Sequence, residues 1–205
     1  IDIKEPITEF LLEAPGGIIP IKAFVENKKV TFVEIQNLPS FVDKLDVKLQ
    51  TSSFGEIIVS TVFGGDSFVI CNAQDFDLSI KPENAKKFVD ISKEIVKEAN
   101  YHLGFQHPNL PDLNFISFCQ FIEPIKKNDL SQKEGLNTVC IRPGKLDRSP
   151  CGTGTSARLA LMHEKNEIHI NEKFISRSII GSTFESYIAK EYTEESKKMI
   201  IPSIK

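Results

Sequence analysis

Between Pro82 and Gly104 the chain repeats apolar residues at three- and four-residue spacing, so that Ala85, Phe88, Ile91, Ile95, Val96 and Ala99 share one face of a helix from about Glu83 to Tyr101. Pro82 and Gly104 are fitting start and stop signals. Almost everywhere else the apolar residues come in short runs broken by Gly, Pro and Asn, which reads as strands. The first three are Phe10 to Glu13, Ile18 to Val25 and Val30 to Ile35, with a break at Pro15-Gly16-Gly17. Asn37-Leu38-Pro39-Ser40 punctuates the chain before a weakly alternating stretch from Phe41 to Gln50. A hairpin follows, Glu56 to Val62 and Ser67 to Cys71, around the tight-turn sequence Phe63-Gly64-Gly65-Asp66. Phe115 to Phe121, Thr138 to Ile141, Glu167 to Ile170, Ile175 to Ile180 and Phe184 to Ala189 complete the strands, and a second helix runs from Gly152 or Thr153 to about Lys165. Two helices interrupt many strands without βαβ alternation, so the fold class is α+β rather than a doubly wound parallel sheet.

The 205 residues carry 25 basic and 28 acidic side chains, a formal charge of −3. Lys and Arg are spread along the chain, which leaves no footprint for nucleic acid or an anionic membrane surface. No run of apolar residues is long enough to span a bilayer, and the first residues resemble no signal peptide, so a soluble, cytoplasmic protein is expected. Of four cysteines, Cys71, Cys119 and Cys140 stand in apolar strand-like runs and read as small buried hydrophobes, with no metal-ligand spacing.

Cys151 is different. It stands at the mouth of the second helix in Asp147-Arg148-Ser149-Pro150-Cys151-Gly152-Thr153-Gly154-Thr155-Ser156-Ala157-Arg158. The first N–H groups of a helix lack internal partners and, with the macrodipole, form an anion site. A thiol placed there is expected to ionise more easily than usual. Asp147, four residues earlier, is positioned to meet a cationic group, so the ligand outlined is an α-amino acid; a plain loop with a capping aspartate is the competing reading.

From Asp147 to Ala157 the chain resembles, residue for residue, the second-cysteine motif of the proline racemase and hydroxyproline epimerase family. Ala14-Pro15-Gly16-Gly17, Leu38-Pro39-Ser40-Phe41, Phe63-Gly64-Gly65, Gln106-His107-Pro108 and Ile180-Gly181-Ser182-Thr183-Phe184-Glu185 also resemble family segments, in the family's order. The resemblance implies inversion at the α-carbon of proline or hydroxyproline by two opposed cysteines, with no cofactor and no metal. It implies that Cys151 is one acid/base, that Gly152 and Thr153 bind the substrate carboxylate through their backbone, and that Asp147 holds the ring nitrogen. The implied fold is that of diaminopimelate epimerase, a strand-rich barrel wrapped around a central helix, and the implied partners are the small-molecule substrate and a second copy in a homodimer. Relatives that dehydrate trans-3-hydroxyproline have Thr in place of this cysteine, so the retained Cys151 resembles the racemase and epimerase branch.

Elsewhere the chain departs from the family pattern. The family's first cysteine lies in a Met-Cys-Gly-His motif upstream of the segment matching Glu9 to Gly17, and this chain contains no such motif. Residues 1–36 are therefore expected to be strands of an otherwise missing first domain, 37–189 the second catalytic domain, and 190–205 a truncated return segment. The expected function is that of a fragment of a longer enzyme, supplying one cysteine and inactive alone; the alternative is a domain that binds a cyclic amino acid without inverting it. Ile141 stands where racemases carry an aromatic residue, Arg142-Pro143-Gly144-Lys145 resembles epimerases, and Asn114-Phe115-Ile116 lacks the His common in epimerases, so proline and hydroxyproline both stay open.

Four other patterns carry less. Gly152-x-Gly154-x-x-Ala157 satisfies a dinucleotide fingerprint, but Arg142 to Pro150 intervenes between strand and helix. His163 and His169 lack metalloprotease spacing and read as surface residues, while His102 and His107 suit the C-terminal dipole of the long helix. The charged run Glu191 to Lys198 reads as a solvated face.

Overall fold

The computed structural model describes residues 2–14 and 16–205; Pro15, in the first expected turn, lies outside them. The strands are β1 (Ile7–Ala14), β2 (Gly17–Glu26), β3 (Lys29–Gln36), β4 (Phe41–Thr51), β5 (Gly55–Phe63), β6 (Ser67–Asn72), β7 (Phe118–Ile122), β8 (Lys126–Lys127), β9 (Lys133–Ile141), β10 (Lys145–Leu146), β11 (Phe174–Arg177), β12 (Thr183–Glu194) and β13 (Lys197–Ile204). The helices are α1 (Ala85–His102), after a 3-10 turn at Pro82–Asn84, and α2 (Gly152–Glu164). The strands join in one sheet of order β1-β2-β3-β13-β12-β11-β9-β7-β6-β5-β4, with β8 and β10 paired to β9.

The two helices lie on opposite sides of this sheet, and their surfaces differ. In α1 a single stripe is buried, with Phe88, Ile95 and Ala99 at 0 % exposure, while Lys86, Lys87 and Asp90 face water. In α2 every residue from Gly154 to Met162 is buried, as a helix that is small or apolar all round but for Arg158 requires. The sheet curls around α2, which packs on β4, β5, β12 and β13. Its path is not closed into a barrel; Ser40 and Ile200 instead exchange two backbone hydrogen bonds, of 2.8 and 2.9 Å, across the gap between β4 and β13. β6 serves both cores by strand alternation, Phe68 and Ile70 towards α2 and Val69 and Cys71 towards α1. Full burial on two faces explains its uninterrupted apolar run. Cys71, Cys119 and Cys140 are free and buried on the α1 side.

Several expectations are corrected. Phe115 to Ser117 precede β7 rather than forming part of it. Glu167 to Ile170 is not a strand; Asn166 (φ 56°) and Asn171 (φ 62°) bend the chain at either side, and one bridge from Ile170 to Ile188 is all the pairing it makes. The charged run Glu191 to Lys198 is the end of β12, a tight turn at Glu195-Ser196 with both φ angles positive, and the start of β13. Most of the run is exposed, as a solvated face is, and some of its charges also pair: Lys197 with Asp43 at 3.1 Å and Lys198 with Glu164 at 3.7 Å. His107 is buried, edge-on to the rings of Phe41 and Phe63 at 5.4 and 4.6 Å. Burial lowers its pKa, so it is no dipole-capping cation. No helix among the described residues is long and apolar enough to cross a membrane.

Candidate active site

Cys151 caps α2 in a backbone conformation that L-residues rarely adopt, φ 65° and ψ 116°. Such a conformation persists only where its surroundings hold it, and they hold it from both sides. On the entering side, Asp147 Oδ1 accepts hydrogen bonds from the Ser149 N–H (2.8 Å) and hydroxyl (2.9 Å), and Ser149 Oγ accepts one from the Cys151 N–H (3.0 Å). Beneath, the Pro150 carbonyl accepts from Asn137 Nδ2 at 2.8 Å, and Asn137 Oδ1 accepts from the Ser176 hydroxyl at 2.6 Å. The Thr155 hydroxyl lies 3.1 Å from Ser176 Oγ, so α2, β9 and β11 all anchor the loop. Asn137, Thr155 and Ser176 are buried and hydrogen-bonded, the condition under which a polar network fixes one geometry.

The helix mouth is partly occupied by the protein itself. The Gly154 N–H donates to Cys151 Sγ at 3.3 Å, and the Thr155 N–H to the Cys151 carbonyl at 2.8 Å. The N–H groups of Gly152 and Thr153 have no acceptor among the described residues, and Gly152 is exposed. Two free donors beside a thiol are what an anionic substrate group needs. The expected depression of the thiol pKa is corrected, however. Burial pushes Cys151 up to about 11; the Thr153 hydroxyl and Gly154 N–H pull the other way, and the Asp147 carboxylate adds to the rise. With the thiol 7 % exposed, loss of hydration outweighs the helix terminus. Cys151 therefore rests as a thiol at neutral pH.

The four sequence-derived residues, Asp147, Cys151, Gly152 and Thr153, lie together at this one helix mouth. Other segments converge on it. A side chain on Gly64 would collide with Thr153 O and Ala157 N and lie 2.9 Å from Ala157 Cα, so the β5–β6 turn rests directly on the first turn of α2. Gly16 packs on Leu38, whose Cδ1 would stand 2.5 Å from an added Cβ. Asn37 Nδ2 donates to the Gly64 carbonyl (3.1 Å) and Ser156 Oγ (2.8 Å), clamping the turn to the helix. Sequence reasoning took Asn37 for punctuation and did not single out Asn137 or Ser176; an isolated polar residue in or beside a strand carries no signal of what it reaches. His163 pairs with Glu191 at 2.5 Å, away from the site. Among the described residues no group of three or more His, Cys, Asp or Glu side chains is placed to hold a metal.

Comparison with known proteins places the chain among relatives of the same fold. A hydroxyproline epimerase structure from Agrobacterium vitis, with bound trans-4-hydroxy-L-proline, is 30% identical with a TM-score of 0.91; the match covers 100% of this chain and 58% of that one. A structure of a probable proline racemase from Agrobacterium radiobacter, with bound carbonate, is also 30% identical, with a TM-score of 0.90 and the same coverage. A methylitaconate-delta-isomerase shares the fold at 13% identity and a TM-score of 0.55, over 65% of its length. The α+β fold is thus diaminopimelate-epimerase-like, and this chain spans less than two thirds of the length of the first two relatives. A family model described as proline racemase matches residues 1–205, end to end, and on that ground the chain belongs to the proline racemase family.

Proposed function

We propose that this chain supplies one half of a cofactor-independent active site that inverts the α-carbon of proline or hydroxyproline, with Cys151 as one acid/base. The observation that carries the reading is the pair of free N–H groups on Gly152 and Thr153 beside the Cys151 thiol. A substrate carboxylate seated there is held by the helix terminus, and the ring ammonium meets Asp147. A thiolate on the opposite side, from the part of the protein outside this chain, removes the α-proton and becomes a thiol. The carbanion then takes the Cys151 proton on its other face, leaving Cys151 as thiolate, and the proton count is unchanged. A substrate ammonium on Asp147 also neutralises the carboxylate that opposes thiolate formation at Cys151, so binding itself readies the thiol to give up its proton.

In this reading residues 1–36 belong to another domain, 37–189 form the catalytic domain carrying Cys151, and 190–205 are a return segment. The face of β1–β3 that carries Leu12, Val33 and Ile35, 49, 38 and 36 % exposed, supports a cover from elsewhere in the whole protein. A homodimer in the cytoplasm belongs to the same reading, on family likeness alone. The second reading, a domain that binds the cyclic amino acid without inverting it, draws on Cys151 being the one cysteine at the site, the other three lying in the α1-side core.

The test is α-proton exchange in D2O, followed by NMR, with the whole protein and L-proline or trans-4-hydroxy-L-proline. Exchange with loss of optical rotation, abolished by Cys151→Ser and inhibited by pyrrole-2-carboxylate as a planar mimic of the carbanion, is expected. Binding with no exchange in the wild type refutes inversion of these substrates and leaves the binding-domain reading.

A further inference from the structure

Arg158 is a buried charge without a close ion pair; Glu167 acts on it only from a longer distance. It projects from α2 at 3 % exposure, and its Nη2 donates to the Glu123 carbonyl at 2.8 Å. Its Nη1 is shielded from solvent and has no acceptor, and the guanidinium forms no ion pair among the described residues. Buried arginines are almost always paired, because an uncompensated buried charge is strongly destabilising. Burial lowers its pKa only to about 10, so it stays charged at neutral pH.

Arg158 is one of the residues lining an open cavity of about 570 Å³ on the flank of α2. Lys133 and Lys165 also line it, but both are engaged, Lys133 with Glu172 at 2.6 Å and Lys165 with Asp46 at 2.8 Å. Of the two acidic residues in the wall, Glu123 accepts the Ile80 N–H at 2.7 Å through Oε1, and Glu167 stays beyond ion-pair distance. The rest of the wall is largely apolar, with Ile122, Ile125, Leu161 and Met162. A charged anchor set in an apolar wall selects for an amphipathic ligand.

We propose that this cavity is a second binding site, for a small carboxylate with an apolar body whose carboxylate pairs with Arg158 and whose body lies on Ile122, Ile125, Leu161 and Met162. The site is independent of the reading of Cys151, since it shares no residue with the helix mouth.

The test is thermal unfolding of the purified protein in benzoate, benzamide or sulfate at matched ionic strength. Benzoate at tenfold excess over its Kd is expected to raise Tm by about 3–6 °C in a saturable way, and benzamide and sulfate are expected not to. Arg158→Met removes the unpaired charge, so it is expected to unfold no lower than wild type without ligand and to lose the benzoate response. Ile125→Glu puts a carboxylate into the half-buried wall and is expected to lose the response with the fold intact, which keeps the test decisive if Arg158→Met fails to fold. No benzoate shift, equal shifts with benzamide or sulfate, or a response that survives in a folded Arg158→Met or Ile125→Glu protein overturns the proposal.

Discussion

Gly64→Ala is the substitution on which the arrangement of the site is most exposed to refutation. The new methyl carbon would collide with Thr153 O and Ala157 N and lie 2.9 Å from Ala157 Cα. All three are backbone atoms of the first turns of α2, so no side chain can rotate away. The β5–β6 turn must lift off the helix, straining the Asn37 bonds to the Gly64 carbonyl and Ser156. Overpacking a core typically costs 1–3 kcal/mol, and with no soft neighbour the upper end applies, about 3 kcal/mol. For a chain of this length that is a fall in Tm of about 6–12 °C. Gly152→Ala is the matched control. Nothing lies within 4 Å of its added Cβ, and alanine suits a helix better than glycine, so stability is expected to hold or rise by up to about 1 kcal/mol. Its methyl group nonetheless enters the exposed helix mouth, and binding of pyrrole-2-carboxylate to the whole protein, measured by calorimetry, is expected to weaken. Urea unfolding of both variants checks the pair. A Gly64→Ala protein as stable as wild type would mean that the turn does not rest on α2, and the account of how the site is held together would fail.

Three further outcomes follow from the same geometry. Asn37→Ala leaves the Gly64 carbonyl and the Ser156 hydroxyl short of a buried donor and is expected to cost about 2 kcal/mol in urea unfolding. Cys151 and Cys140 titrate at about 11 and about 12 in the folded chain, above the ordinary 9.0, so the unfolded chain releases these protons first and stability is expected to fall as pH rises from about 9 through 11 and 12. Cys151→Ala should remove one proton from that slope, and an unchanged slope would contradict the buried-thiol assignment. Asp147→Asn removes a negative charge that opposes the thiolate, so the pH profile for iodoacetamide alkylation of Cys151, read by peptide mass, is expected to move to lower pH.

Much of the fold was legible because its periodicities are strong. The Phe88–Ile95–Ala99 stripe marked α1, and Phe68 to Cys71 marked a strand buried on both faces. The Glu167 to Ile170 error has a plain cause: four residues flanked by asparagines that accept left-handed backbone look like a strand until the turns are seen. The charged tail misled differently. Strand β13 depends on partners in β12 and β3 far away in sequence, and its lysines meet Asp43 and Glu164, which no local pattern reveals.

By its order of residues alone the chain put Cys151 and Gly-Thr-Gly-Thr-Ser at a candidate helix mouth, where the first N–H groups lack helical partners, with a plain loop as the competing reading. Tertiary structure decided the chemical state of that site. Wrapping the sheet around α2 removes Cys151 from water and brings Asp147 near, so a thiol expected to ionise easily is held protonated. It also decided what keeps the strained cap in place: Asn37, Asn137 and Ser176 reach the helix from three different strands or their flanks, and hydrogen bonds between residues so distant in sequence exist only once the chain has folded.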